Sequence, residues 1–180
     1  GTQQVLYGLA AGLSRKGYRQ TIVCLNDVVD KKLCDKLERL GIQVRIVGKW
    51  QLISGIGIIR TLVWLVRESF DVAITLLFFS DILGLLLSRT VKIPYLISSQ
   101  QSSNAHYSDL QCAAIGHLLR LANVVVLNSE TYKKSVLSTY VPNFVEVKVV
   151  SNGTEVAAYR AGKTFDAIRT TLRLPSGARI

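Results

Sequence analysis

The chain has 180 residues, 49% of them hydrophobic and 19% charged, with a formal net charge of +10. That balance excludes a disordered chain, and only 3 Pro and 13 Gly exclude a fibrous or linker-rich one. The excess of base favours an anionic partner, whether a phosphate-bearing ligand, a membrane surface or nucleic acid, with a merely solvated basic surface as the plain alternative.

In chain order, Thr2 can cap a helix over about Gln3 to Lys16, with Val5, Leu6, Leu9, Ala10 and Leu13 at helical spacing and Gly17 at its end. Thr21 to Leu25 reads as a strand. Asp30 starts a second helix, with Leu33, Leu37 and Leu40 on one face and Gly41 closing it. Val44 to Val47 is the second strand. A longer helix is expected from Leu52 to Phe70, with Ile56, Ile59, Leu62, Val63 and Val66 as its core stripe. Val72 to Leu76 is the third strand, and Ser80 is placed to cap a helix through Leu87. Strands at Tyr95 to Ser98, Val124 to Leu127 and Val145 to Val150 alternate with helices at Asp109 to Leu121 and from Asn128 or Ser129 to about Ser138. A last helix is expected from Phe165 to Leu172.

Apolar strands alternating with helices predict an α/β fold: a Rossmann-like, doubly wound parallel sheet covered on both faces. Such a fold opens on a strand that feeds a glycine loop into the first helix. This sequence opens at the helix entrance, so the expectation is a first strand that is truncated and a sheet with a gap or rearranged order. The chain is also expected to continue past Ile180, with residues 1–158 as one domain and 159–180 as an interdomain segment leading into a second.

Cys24, Cys34 and Cys112 are odd in number and show no paired spacing. They predict reduced thiols in a cytosolic protein rather than a disulfide framework or a zinc site. No signal peptide is visible. The longest apolar runs, Val72 to Phe79 and Ile82 to Leu87, are interrupted by Asp81 and fall short of the roughly 20 residues that span a bilayer.

Several segments together resemble the N-terminal, acceptor-side domain of a family 4 glycosyltransferase with GT-B architecture. They are Gly1-Thr2-Gln3-Gln4-Val5 with Leu9-Ala10 and Leu13, Lys16-Gly17-Tyr18 before Thr21-Ile22-Val23, and Leu40-Gly41-Ile42-Gln43-Val44. Phe70-Asp71-Val72-Ala73-Ile74, Asn123 to Glu130 and Lys148 to Glu155 complete the series. The likeness implies two Rossmann-like domains facing across a cleft and transfer of a sugar from a nucleotide-sugar donor, with retention, to a glycan or lipid-linked acceptor. It implies no cofactor or metal. The donor site and its paired glutamates would lie in a C-terminal domain, so the segment alone would be inactive, because the leaving diphosphate needs electrostatic stabilisation from that domain.

The candidate substrate-binding residues fall at strand ends and helix entrances. Gly1 and Thr2 stand before a helix N-terminus, where free N–H groups favour an anion; an ordinary strand-to-helix turn is the structural alternative. Ser99, Gln100 and Gln101 belong to a polar run, Ser98 to Asn104, after the fourth strand, where amides and hydroxyls can meet sugar hydroxyls; a surface loop is the alternative. The resembling enzymes often carry His or Arg near Gln100 or Gln101, and a glutamine cannot act as a base. His106 lies in the same loop, either reaching the cleft or simply solvated, while His117 reads as structural. Asn128 and Ser129 follow the fifth strand, Ser129 first of all as a helix cap. Asn152 and Gly153 suit a tight turn with positive φ, near the interdomain crossover by resemblance.

The outer face of the long helix, with Ile53, Arg60, Trp64 and Arg67 near Lys49 and Trp50, could touch an anionic membrane peripherally, or Trp64 could pack inward with the arginines in water. The expected location is cytoplasmic, with or without contact at the inner membrane face. Two other functions fit less of the pattern. A sugar-nucleotide epimerase or dinucleotide enzyme shares the scaffold, but no Gly-x-Gly-x-x-Gly fingerprint is present. A non-enzymatic basic module would bind membrane or polyanions, but no nucleic-acid motif is visible and no nucleic-acid partner is expected.

Overall fold

A computed structural model describes residues 2–26, 29–101, 108–131, 133 and 145–153. Helix α1 (Thr2–Arg15), strand β1 (Thr21–Cys24), helix α2 (Lys31–Arg39) and strand β2 (Gln43–Ile46) come first. Asp30 caps α2, its carboxylate accepting from the N–H groups of Lys32 and Leu33 at 3.0 and 3.3 Å. These are donors that a first helical turn leaves without intrahelical partners. Gly41, at φ 75°, closes the same helix and lets the Ile42 N–H return to the Leu37 carbonyl at 3.1 Å. β1 and β2 pair in parallel, from Thr21 opposite Gln43 to Cys24 opposite Ile46. Ala10, Leu37 and Ile42 are buried beside this pair, with Tyr7, Ile22, Leu33 and Val44 packed around them.

The second sheet is larger. Strands β3 (Val72–Leu76), β4 (Tyr95–Gln100), β5 (Val124–Leu127) and β6 (Glu146–Val149) are parallel and lie in the order β3-β4-β5-β6. Between β3 and β4 run α5 (Phe78–Ser80), a π turn (Asp81–Leu85) and α6 (Leu86–Thr90); α7 (Asp109–Leu119) joins β4 to β5. α7 begins with a reciprocal cap, in which Gln111 N–H donates to Ser108 Oγ at 3.3 Å and Ser108 N–H donates to Gln111 Oε1 at 2.9 Å. Leu85, Leu96, Ile115, Leu119, Val125 and Leu127 form the centre of the main core. The fold is therefore α/β with a Rossmann-like parallel sheet. Its described strands form two sheets, and no described strand bridges β1 to β3. Cys24, Cys34 and Cys112 are free thiols. Among the described residues no helix is long and apolar enough to cross a membrane.

Five expectations need correction. The long helix is two: α3 (Lys49–Ile53) and α4 (Ile56–Glu68), broken at Gly55 with φ 74°. Gly57 sits so close to Gln51 that an added Cβ would lie 2.9 Å from its backbone, so the break is packed tightly. The expected core stripe of that helix is turned around: Ile56, Ile59, Val63 and Val66 are exposed, while Gly57 and Thr61 are buried and Leu65 packs on the main core. Ser80 precedes the π turn but makes no side-chain cap hydrogen bond, and it lies within α5. β4 runs two residues further than expected, so Ser99 and Gln100 are strand residues, and β6 is shorter than expected. The helix expected beyond Thr131, the helix at Phe165 to Leu172 and the segment 159–180 lie outside the described residues.

Candidate functional site at the strand ends

Side chains alternate across a strand, so Ser98 and Gln100 share one face of β4, and Thr75 stands opposite Ser98 in the β3–β4 register. All three turn to Asp81, which is wholly buried at the start of the π turn. Thr75 Oγ1 and Ser98 Oγ donate to Asp81 Oδ1, the latter at 2.7 Å. Gln100 Nε2 donates to Asp81 Oδ2 at 2.7 Å and to Ser98 Oγ at 2.8 Å. Burial pushes the Asp81 carboxyl above its ordinary value of 3.8, and the donors from Thr75, Ser98 and Gln100 pull part of the way back.

The backbone around this acid is constrained. Leu77 has φ 75° and ψ 158°, a region ordinarily reserved for glycine, and its carbonyl accepts from the Asp81 N–H at 2.9 Å. Gly84, three residues after Asp81, lies under Thr75; an added Cβ would meet Thr75 Cγ2 at 2.5 Å. Asp81 is enclosed, with no exposed surface. Its chemistry is structural: it fastens the π turn to the last residues of β3 and β4, and so fixes where β4 ends.

The other face of that strand end carries Ser99 and Gln101. Gln101 Nε2 donates to Ser99 Oγ at 2.6 Å, and the Gln101 carbonyl accepts from Asn128 Nδ2 at 3.0 Å. Among the described residues, Gln101 Oε1 is buried without a hydrogen-bond partner. Leu127 pairs with both Gln100 and Val149, and Val150 N–H donates to the Leu127 carbonyl at 2.8 Å. This register sets Gln101, Asn128, Ser129 and Ser151 to Gly153 along the carboxyl edge of one parallel sheet, the edge where ligands of such sheets bind. Ser129 opens a helical turn, its carbonyl accepting from Lys133 N–H at 3.1 Å.

The remaining candidates are placed differently. Gln100 is in the strand, committed to Asp81, and 5% exposed. Thr2 begins α1, which packs on the β1–β2 pair. Gly1 and His106 lie outside the described residues. Asn152 and Gly153 are exposed, and Gly153 does not take a left-handed φ. The edge presents amides and hydroxyls, groups suited to a hydroxyl-bearing ligand.

Asp81 is the residue that pattern reading passed over. It looked like an interruption in an apolar run. The available signal was a lone acid flanked by apolar residues, with polar Thr75, Ser98 and Gln100 inside strands that are otherwise apolar. A buried acid must find donors, and those three were the ones at strand positions. No protein-family model matches this chain, and no curated protein matches it.

Proposed function

We propose that this chain is the acceptor-side domain of a retaining glycosyltransferase that uses a nucleotide-sugar donor. The observation that carries the reading is the carboxyl edge of the larger sheet. Ser99, Gln101 and Asn128 are joined there by hydrogen bonds, and one glutamine oxygen is buried with no partner among the described residues. A sugar hydroxyl donating to Gln101 Oε1 would satisfy it, and an unsatisfied buried acceptor is a costly state that such a ligand relieves. The resemblance to family 4 glycosyltransferases supports the same assignment. In this reading Asp81, Ser98 and Gln100 are positioning residues that hold the edge still. The chain's own rim holds and orients the acceptor, and stabilisation of the departing diphosphate belongs to a second domain.

The test uses the whole polypeptide, a panel of nucleotide sugars and extracts of lipid-linked and glycan acceptors. Acceptor-dependent release of nucleoside diphosphate is expected. Gln101→Leu is expected to raise the KM for acceptor about tenfold, the loss of one well-made buried hydrogen bond, with the KM for donor unchanged. No transfer from any nucleotide sugar would overturn the reading.

A further inference from the structure

The smaller sheet carries two thiols that the strand-end site does not use. Cys24 is the last residue of β1 and Cys34 is the fourth residue of α2. Both are half-buried, whereas Cys112 is enclosed in α7. Helix α2 joins two parallel strands, so it runs back against the direction of both. Ile22 of β1 packs against the buried cluster that contains Leu37 of α2, which sets the helix on the strand. From Ile22, Cys24 lies two residues toward the carboxyl end of β1 and on the same face, about 6.6 Å along the strand. From Leu37, Cys34 lies three residues toward the start of α2 and on the same side, about 4.5 Å along the axis. Because helix and strand are antiparallel, the two displacements point the same way and bring the thiols together at the carboxyl end of β1. The composition of α2 agrees, since Leu33, Cys34 and Leu37 are its only uncharged residues. Burial pushes the Cys24 thiol up, and the neighbouring Cys34 pushes it further, the effect of one thiol within range of another's charge.

Each sulfur is carried on a fixed stretch of backbone. The Cys24 carbonyl accepts from Val47 N–H at 2.8 Å, which extends the β1–β2 ladder past Ile46. Cys34 N–H donates to the Asp30 carbonyl at 3.0 Å, and Asp30 caps the helix. We propose that Cys24 and Cys34 are a redox-sensitive pair, closed to an intramolecular disulfide by hydrogen peroxide and reopened by a dithiol. The Cys34 thiolate attacks one peroxide oxygen and the O–O bond breaks. The departing hydroxide takes up the proton that Cys34 gave up and leaves as water, and Cys34 becomes a sulfenic acid. Cys24, kept as a thiol by burial, is the resolving group. Its sulfur attacks the Cys34 sulfur, the S–O bond breaks, and the second hydroxide leaves as water with the Cys24 proton. Two thiols and one peroxide thus give one disulfide and two waters, with two electrons passing from sulfur to oxygen. The bond ties the carboxyl end of β1 to the start of α2. This inference stands apart from the transfer reading and survives its failure.

Mild oxidation of the whole polypeptide tests it. The chain is fully reduced, freed of reductant and treated with equimolar hydrogen peroxide under native conditions. The thiols that react with a thiol reagent after denaturation are expected to fall from three to one, and the intact mass to fall by two hydrogen atoms. A non-reducing peptide map is expected to join Cys24 to Cys34 and to leave Cys112 free, and dithiothreitol to restore the original mass. Cys24→Ser and Cys34→Ser are each expected to abolish the mass loss, and Cys112→Ser to leave it unchanged. The peptide map is read on the native sequence, so the result does not depend on how the variants fold. Four results would overturn the proposal: a disulfide that includes Cys112, a disulfide formed only between two copies of the chain, a gain of oxygen at separate cysteines with no bond between Cys24 and Cys34, or three free thiols after a large excess of peroxide.

Discussion

The ends of β3 and β4 bury polar side chains, whereas α4 holds a row of large apolar ones out in solvent. At the strand ends, Asp81, Ser98 and Gln100 are enclosed and bonded to one another. On the helix, Ile59 and Val66 are 63 and 62% exposed. Both regions invert the usual sorting of residues by polarity, and the reasons differ. The polar cluster is tolerated inside because every donor reaches an acceptor within the cluster, so little is left to desolvate unpaired. The apolar stripe is tolerated outside because α4 already buries its opposite side, through Gly57, Thr61 and Leu65. One inversion is internally complete; the other leaves an apolar face open among the described residues.

The sharpest way to break the contrast is at Asp81. Asp81→Ala strands three buried donors and is expected to cost about 3 kcal/mol, read as a loss of denaturation midpoint at constant m-value. A loss as small as that of a surface substitution would show that the cluster is not holding the strand ends. Asp81→Asn tests the charge itself. Burial raises the folded carboxyl above 3.8, so the folded chain keeps a proton that the unfolded chain has already lost. The stability tied to that proton is full below pH 3.8 and is lost as pH rises through the raised folded value. The stability advantage of the native acid over Asp81→Asn should therefore shrink as pH rises across the mildly acid range. An advantage that grows with pH would mean that the three hydrogen bonds outweigh burial.

A smaller effect is expected one turn away. Gly84→Ala drives a Cβ into Thr75 Cγ2 and should cost about 1–3 kcal/mol. Thr75→Ser removes that methyl and keeps the hydroxyl that bonds Asp81, so adding it to Gly84→Ala should restore part of the loss in a thermal melt. Simple additivity of the two changes would show that the contact is not the cause. The smallest effect belongs to the helix. Ile59→Ser is expected to alter stability by no more than about 0.5 kcal/mol, although Ile59 has the composition of a core residue. A large loss would place the stripe inside the folded body.

Much of the fold could be read from the residues. The strand at Val72 to Leu76 and the helices ended by Gly17 and Gly41 depend on local rules: β-branched apolar runs, and glycine where a helix must close in a left-handed turn. The polar run after β4 and the position of Asn128 after β5 were legible as well, although the end of β4 itself lies two residues later than the run suggested. Gln100 was misread because a polar residue after an apolar strand looks like loop, and only its partner Asp81 keeps it in the strand. The helix break at Gly55 was missed because Gly55 and Gly57 in an apolar, helix-spaced run are a weak signal without the contact of Gly57 to Gln51.

The sequence by itself determined which residues share a face: periodicity is a property of the backbone, and it holds whatever surrounds the element. It determined the alternation of strands and helices, and hence a parallel sheet. Only the tertiary structure decided which face turned inward. For α4 the choice between its two apolar sides depends on how Leu65 and Phe70 meet the main core, a contact made with strands that come later in the chain. For Asp81 it depends on bringing Thr75, Ser98 and Gln100 to within bonding distance across two strands, an arrangement set by register that no local pattern contains.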